Sequence, residues 1–226
     1  MNQTIKIGAI TIGQSPRTDI TKDILPLLPS NMVLIEYGAL DDMRAEEVTA
    51  AFHPEEGDEI LVSRMRDGSQ VKFTDKYIVP LVQKKIDRAE ADGVSAIILF
   101  CTGVFPKFRH SVLFLEPQPL FHSIAANLAS DRKIGVLVPE PDQIEQAYHF
   151  WGQRTVNIEA TSASPYLSFE KITEAASFFC DKDLAFICTD CMGFTMEMKH
   201  RIQEITGLPV LLPRTLVVQI LCEMFS

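Results

Sequence analysis

A chain of 226 residues with 46% hydrophobic, 23% charged and 8% aromatic residues has the composition of a soluble globular protein, which excludes disorder, collagen and coiled coil. Its 21 Lys+Arg against 30 Asp+Glu leave a net charge of -9 with no basic stripe, so neither nucleic acid nor an anionic membrane surface is an expected partner. No uncharged apolar stretch approaches the roughly 20 residues that span a bilayer. The N-terminal run MNQTIKIGAITIG lacks a basic leader and a cleavage site, so the expected location is cytoplasmic.

Strand and helix patterns alternate along the whole chain. Lys6–Ile12 predicts a strand that stops at Gly13, and the polar loop Gln14, Ser15, Pro16, Arg17 leads into a helical pattern through Ile20, Ile24, Leu25 and Leu28, with Pro16 suited to a first helical position. Met32–Tyr37 is a second strand. Leu61–Met65 and Gln70–Phe73 flank Asp67-Gly68, a hairpin signal that predicts a decoration at a sheet edge. Asp75–Asp92 has apolar residues at 78, 79, 81, 82, 86 and 89 and ends at Gly93, a helix with glycine at C′. Ala96–Phe100 is apolar throughout, as befits a strand buried on both faces of a parallel sheet, and it runs straight into Cys101-Thr102-Gly103.

Val112–Leu115 is a further strand, followed by a helix reaching Ala129. A second lobe then reads as strands at Lys133–Val138, Thr155–Ala160, Leu184–Cys188 and Pro209–Leu212, with helices at Pro141–Trp151, Phe169–Phe179 and Met192–Ile205; Thr215–Phe225 is the last helix. The expected class is α/β with two lobes, residues 1–116 plus 213–226 and residues 117–212, each a mainly parallel sheet flanked by helices. Ligands bind beyond the carboxyl ends of such strands, so the loops after Ile12, Phe100, Val138 and Cys188 are expected to carry the chemistry.

Two of those loops contain a Cys-x-Gly step: Cys101-Thr102-Gly103 and Cys191-Met192-Gly193. A thiol at a strand's carboxyl end, beside backbone amides, has its thiolate favoured and can act as a base. Two thiols facing each other across an interlobe cleft would serve a racemase without a cofactor, one taking a proton and the other supplying one. Both positions also read as core thiols, since free cysteine is among the most buried residue types. The register is ambiguous as well, because Phe100-Cys101-Thr102 resembles Ile187-Cys188-Thr189; Cys191 is preferred because Cys188 belongs to an apolar run.

Five cysteines, an odd number in a chain of this size, predict free thiols. Cys188-Thr189-Asp190-Cys191 is formally C-x-x-C, but no compact second ligand pair accompanies it, so no metal is expected. His53, His110, His122, His149 and His200 show no pairing pattern and default to surface or packing roles. Neither G-x-G-x-x-G nor a P-loop follows a strand, so ATP and NAD are not expected. For an anionic substrate, Gln14, Ser15 and Arg17 offer amide, hydroxyl and guanidinium donors, and Thr102 another. Glu140 and Asp190 are auxiliary carboxylates that could orient a thiol or a water, or simply be solvated. Arg109 and His110 follow the first Cys loop, and Arg214 follows the last strand; their directions are not readable.

The runs ITIGQSPRTDI (residues 10–20), FLEPQP (114–119), KIGVLVP (133–139), DCMGF (190–194) and LPVLLPRTL (208–216) resemble the AroM family over almost the whole chain. AroM-like proteins in turn resemble the aspartate/glutamate racemase superfamily, with its hydantoin racemases, maleate isomerases and arylmalonate decarboxylases. The resemblance implies two pseudosymmetric lobes with the site in the cleft, no cofactor, and one catalytic cysteine per lobe, Cys101 and Cys191. Glutamate racemases carry Cys-Asn-Thr and Cys-Thr-His at these steps; Cys-Thr-Gly and Cys-Met-Gly here are nearer the hydantoin-racemase pattern. The expected function is Cys-mediated proton transfer at a carbon α to a carbonyl of a small carboxylate or cyclic imide. Gln14, Ser15, Arg17, Thr102, Gly103, Met192 and Gly193 would line the substrate, and a homodimer is left open. The alternative is a non-catalytic protein that binds or senses a small carboxylate.

Overall fold

The computed structural model describes residues 4–154 and 156–225. The chain divides into two compact units, one built from Met1–Gln118 with Val217–Ser226 and the other from Pro119–Leu216. In the first unit β1 (Ile5–Thr11), β2 (Met32–Gly38), β5 (Ala96–Leu99) and β6 (Leu113–Leu115) form a parallel sheet in the order β2-β1-β5-β6. All four side chains of β5 are buried, which is why the strand reads as an unbroken apolar run. The sheet is flanked by α1 (Thr18–Ile24) and α3 (Asp75–Ala91), the latter burying Ile78, Val82, Ile86 and Ala89 along one stripe. Just past Asp92, the C-cap of α3, Gly93 takes φ 75°, the left-handed turn that only glycine enters without cost.

In the second unit β7 (Ile134–Val138), β8 (Ile158–Ser162), β9 (Ile187–Thr189) and β10 (Val210–Leu211) form another parallel sheet, in the order β10-β9-β7-β8. Read from its other edge, this order repeats that of the first unit: first strand beside second on one side and third on the other, fourth at the margin. The helices are α4 (Pro117–Ala129), α5 (Gln143–Gly152), α6 (Phe169–Ser177) and α7 (Met196–Thr206), with the start of α8 (Pro213–Phe225), whose residues from Val217 on belong to the first unit. One side of the sheet packs Leu137, Ile187 and Leu212 with Ile172, Phe179 and Ile202; the other packs Val136, Val138 and Cys188 with Phe121, Ala125 and Trp151.

Several boundaries move from their expected places. The β8 strand was expected at Thr155–Ala160; Thr155 lies outside the described residues, and pairing along the full length of β7, from Ile134↔Ile158 to Val138↔Ser162, sets the observed limits. The strand expected at Leu184–Cys188 pairs only from Ile187, and Ala185 enters through a single backbone bond to Lys133. Pro16 precedes α1 instead of opening it, and the Ser15–Pro16 peptide is cis. The helical pattern through Leu28 breaks after Ile24 into a 3-10 turn at Leu25–Leu27. Helix α2 (Ala45–Ala51) went unpredicted, because it is short and buries only Val48. The hairpin β3 (Ile60–Arg64) and β4 (Gln70–Thr74) forms a sheet of its own and extends no edge of the parallel one. Among the described residues no helix is long and apolar enough to cross a membrane.

Candidate functional site

The two Cys-x-Gly steps occupy equivalent places, and the backbone ladder settles their register. Leu99 pairs with Ile10 and the next amide, Phe100 N–H, donates to Ile10 O; Thr189 pairs with Leu137 and the next amide, Asp190 N–H, donates to Leu137 O. Phe100 therefore corresponds to Asp190, and Cys101 to Cys191. Cys188 lies inside β9, where complete burial, with the Asp190 carboxylate nearby, pushes its thiol well above the ordinary range. At both steps the glycine two residues on turns its amide back: Gly103 N–H donates to Cys101 Sγ at 3.2 Å and Gly193 N–H to Cys191 Sγ at 3.3 Å. A Cβ at Gly103 would meet Leu61 Cδ2 at 2.6 Å, and one at Gly193 would meet Pro165 Cγ at 2.7 Å, so both loops need glycine for close packing.

Three further groups hold the Cys191 loop. Arg214, wholly buried at the start of α8, directs Nε to Met192 O at 2.9 Å and Nη2 to the same oxygen. Asp190 turns its carboxylate toward the helices: Oδ2 accepts from Trp151 Nε1 at 2.9 Å and lies 3.0 Å from His122 Nε2. The His122 ring, 2% exposed, stacks on Trp151 with centroids 3.8 Å apart. Tyr166, on the loop after β8, brings Oη to 3.7 Å from Cys191 Sγ. Asp190 thus anchors the loop to α4 and α5. Glu140 lies on the loop after β7, half-buried, its carbonyl accepting from Gln143 N–H at 3.0 Å.

In the first unit the loop after β1 adjoins the Cys101 loop through the β1–β5 pairing, and its expected donors are engaged within the unit. Gln14 Nε2 donates to Leu40 O at 3.1 Å and Met43 O at 2.7 Å, while its Oε1 accepts from Arg66 N–H at 2.8 Å. Ser15 gives its amide and hydroxyl to the two oxygens of Asp41 at 2.7 and 2.9 Å. Arg17, buried, forms a bidentate pair with Asp19 at 2.9 and 2.8 Å and sends Nη1 to Thr11 Oγ1 at 3.0 Å. Its amide donates to Glu36, whose carboxyl burial pushes up. Arg109 and His110 are exposed, Arg109 being tied by its backbone to Gln83 of α3. Among the described residues no group of three or more His, Cys, Asp or Glu is placed to hold a metal ion.

The family model for AroM protein matches residues 7–225. The chain belongs to the AroM family. No curated protein matches this AroM chain. Solved structures do: the allantoin racemase from Klebsiella pneumoniae, at 12% identity over 98% of this chain and 87% of that one, superposes with a TM-score of 0.60. The Picrophilus torridus aspartate racemase, 14% identical over 97% and 94%, gives 0.63. The Nocardia farcinica maleate cis-trans isomerase, 9% identical over 98% and 92%, gives 0.66. At such identities the likeness concerns the fold, and the AroM chain has the two-sheet α/β fold of these enzymes.

Within this AroM chain, reasoning from sequence found the two thiol loops and missed the residues that surround one of them. His122 and Trp151 sit on helices with no motif, and their meeting with Asp190 is a product of packing. Tyr166 was overlooked because the loop after β8 (Ile158–Ser162) was not among the four carboxyl-end loops expected to carry the chemistry.

Proposed function

We propose that this AroM protein is a cofactor-independent racemase- or isomerase-like enzyme that transfers a proton at a carbon α to a carbonyl of a small carboxylate or cyclic imide. One observation carries the reading: the same thiol cradle, cysteine after the third strand of a parallel sheet with the amide two residues on donating to its sulfur, occurs once in each unit. An amide aimed at sulfur favours the thiolate, the form that acts as a base. In the proposed step one thiolate takes the α-proton, the C–H electron pair remains on the substrate as an enolate, and the other thiol returns a proton to carbon. Thr102 is the proposed side-chain donor to the substrate carbonyl, and main-chain amides of the two loops share the developing charge. The fold shared with racemases and an isomerase supports this class.

The test is exchange of the substrate α-proton with D₂O, followed by NMR over a panel of small carboxylic acids, amino acids and hydantoins. Exchange with at least one of them is expected. With both thiols in use, Cys101→Ser and Cys191→Ser each abolish racemization, while each keeps exchange from the enantiomer served by the surviving thiol. Tight carboxylate binding by calorimetry with no exchange anywhere in the panel would replace the enzyme with a binding protein.

A further inference from the structure

Tyr166 belongs to no sequence motif, yet its half-buried phenol stands against a thiol of the proposed reaction, with Oη 3.7 Å from Cys191 Sγ. The ring is seated over Gly193, where a Cβ would come within 2.6 Å of Tyr166 Cζ and 2.7 Å of Pro165 Cγ. The missing side chain at 193 is what lets the phenol reach the sulfur. Its own backbone is tied down as well, Tyr166 N–H donating to Ser164 Oγ at 3.1 Å. Phenol is the weaker acid of the pair, about 10 against about 8.5 for a free thiol, so the thiol ionises first and the phenol O–H then donates to the thiolate. With Gly193 N–H at 3.3 Å the sulfur has two donors converging on it, and both strengthen as negative charge gathers there.

We infer that Tyr166 is a positioning residue for Cys191: its O–H, donated to sulfur, holds Cys191 as the thiolate base. This deepens the proton-transfer reading proposed above and rests on it for its catalytic meaning. In the reaction Cys191 Sγ takes the substrate α-proton and becomes S–H, the electron pair stays on the substrate, and the S–H later loses its proton to solvent to restore the thiolate. The phenol keeps its own proton throughout, so the balance needs no further reactant.

The experiment is alkylation of the intact protein by iodoacetamide across about pH 5 to about pH 10, read cysteine by cysteine by mass spectrometry. Tyr166→Phe is expected to move the Cys191 midpoint up by about one pH unit, roughly a tenfold loss of labelling rate at pH values below the wild-type midpoint. Cys101 and the exposed Cys180, read in the same digest, keep their profiles. Gly193→Ala, whose methyl displaces the phenol, should reproduce the shift. An unchanged Cys191 profile in folded Tyr166→Phe protein overturns the role. So does a wild-type Cys191 midpoint at or above about 8.5, a measurement that needs no variant. Neither readout uses a substrate, so this result and the D₂O exchange result stand or fall separately.

Discussion

Arg214 shows what a single side chain contributes to the Cys191 loop. A guanidinium with no exposed surface is costly unless its charge and donors are satisfied, and here both Nε and Nη2 converge on Met192 O, the carbonyl next to Cys191. Removing it strands that oxygen and opens a cavity. Arg214→Ala should therefore destabilise the protein by about 3 kcal/mol, seen as a lower urea midpoint with an unchanged slope. Arg214→Lys keeps the charge but has one nitrogen where the fork had two, and should recover only part of that loss. A midpoint unmoved by Arg214→Ala would mean that the loop is held by other contacts. The same scale explains how the loop after β1 is held: Gln14, Ser15 and Arg17 direct donors to Leu40, Met43, Asp41 and Asp19.

Among the elements, α7 is where pattern and structure part most usefully. Apolar periodicity runs from Met192, but the helix begins at Met196, because Thr195 adopts extended backbone and its Oγ1 accepts Met198 N–H at 3.2 Å. The cap releases residues 192–194 from the helix, and that freedom allows Gly193 N–H to face Cys191 Sγ. Thr195→Ala should cost about 1 kcal/mol and Thr195→Ser almost nothing. The alanine variant should also lose protection of the Met198 amide in hydrogen exchange. Protection equal to wild type would show that packing of Met198 and Ile202 holds the helix start without the cap.

At the scale of the molecule the two units differ in how the chain builds them. The second is one continuous segment, with its own parallel sheet and apolar packing on both faces. The first needs the last residues of the chain: Val217, Val218 and Leu221 are fully buried, and Cys222 Sγ contacts Leu27 O at 3.5 Å. A fragment of residues 117–216 should consequently give native-like circular dichroism and a cooperative melt. A fragment of residues 1–118, which loses that terminal helix, should not. Cooperative folding of the second fragment would mean that α8 adds little to the first unit.

Much of the fold was legible because its signals are local. The apolar run 96–100, the helical stripe at 78, 82, 86 and 89, Gly93 and the Asp67-Gly68 hairpin each reflect a few neighbouring residues and a short-range steric or burial rule. The two Cys-x-Gly steps were legible for the same reason, cysteine and glycine two positions apart at a strand's end. Strand limits were not, since pairing with β7 sets β8 and β9 and pairing is a long-range event. The choice of Cys191 over Cys188 was readable from the apolar run that holds Cys188, and the ladder agrees. Tyr166, His122, Trp151 and Arg214 meet the Cys191 loop from 22 to 68 residues away along the chain, and no local pattern shows that they point toward it. The sequence by itself determined an alternating α/β chain with two thiols at strand ends; only the tertiary structure decided which side chains those thiols and their loops would meet, because such contacts depend on how separate elements pack.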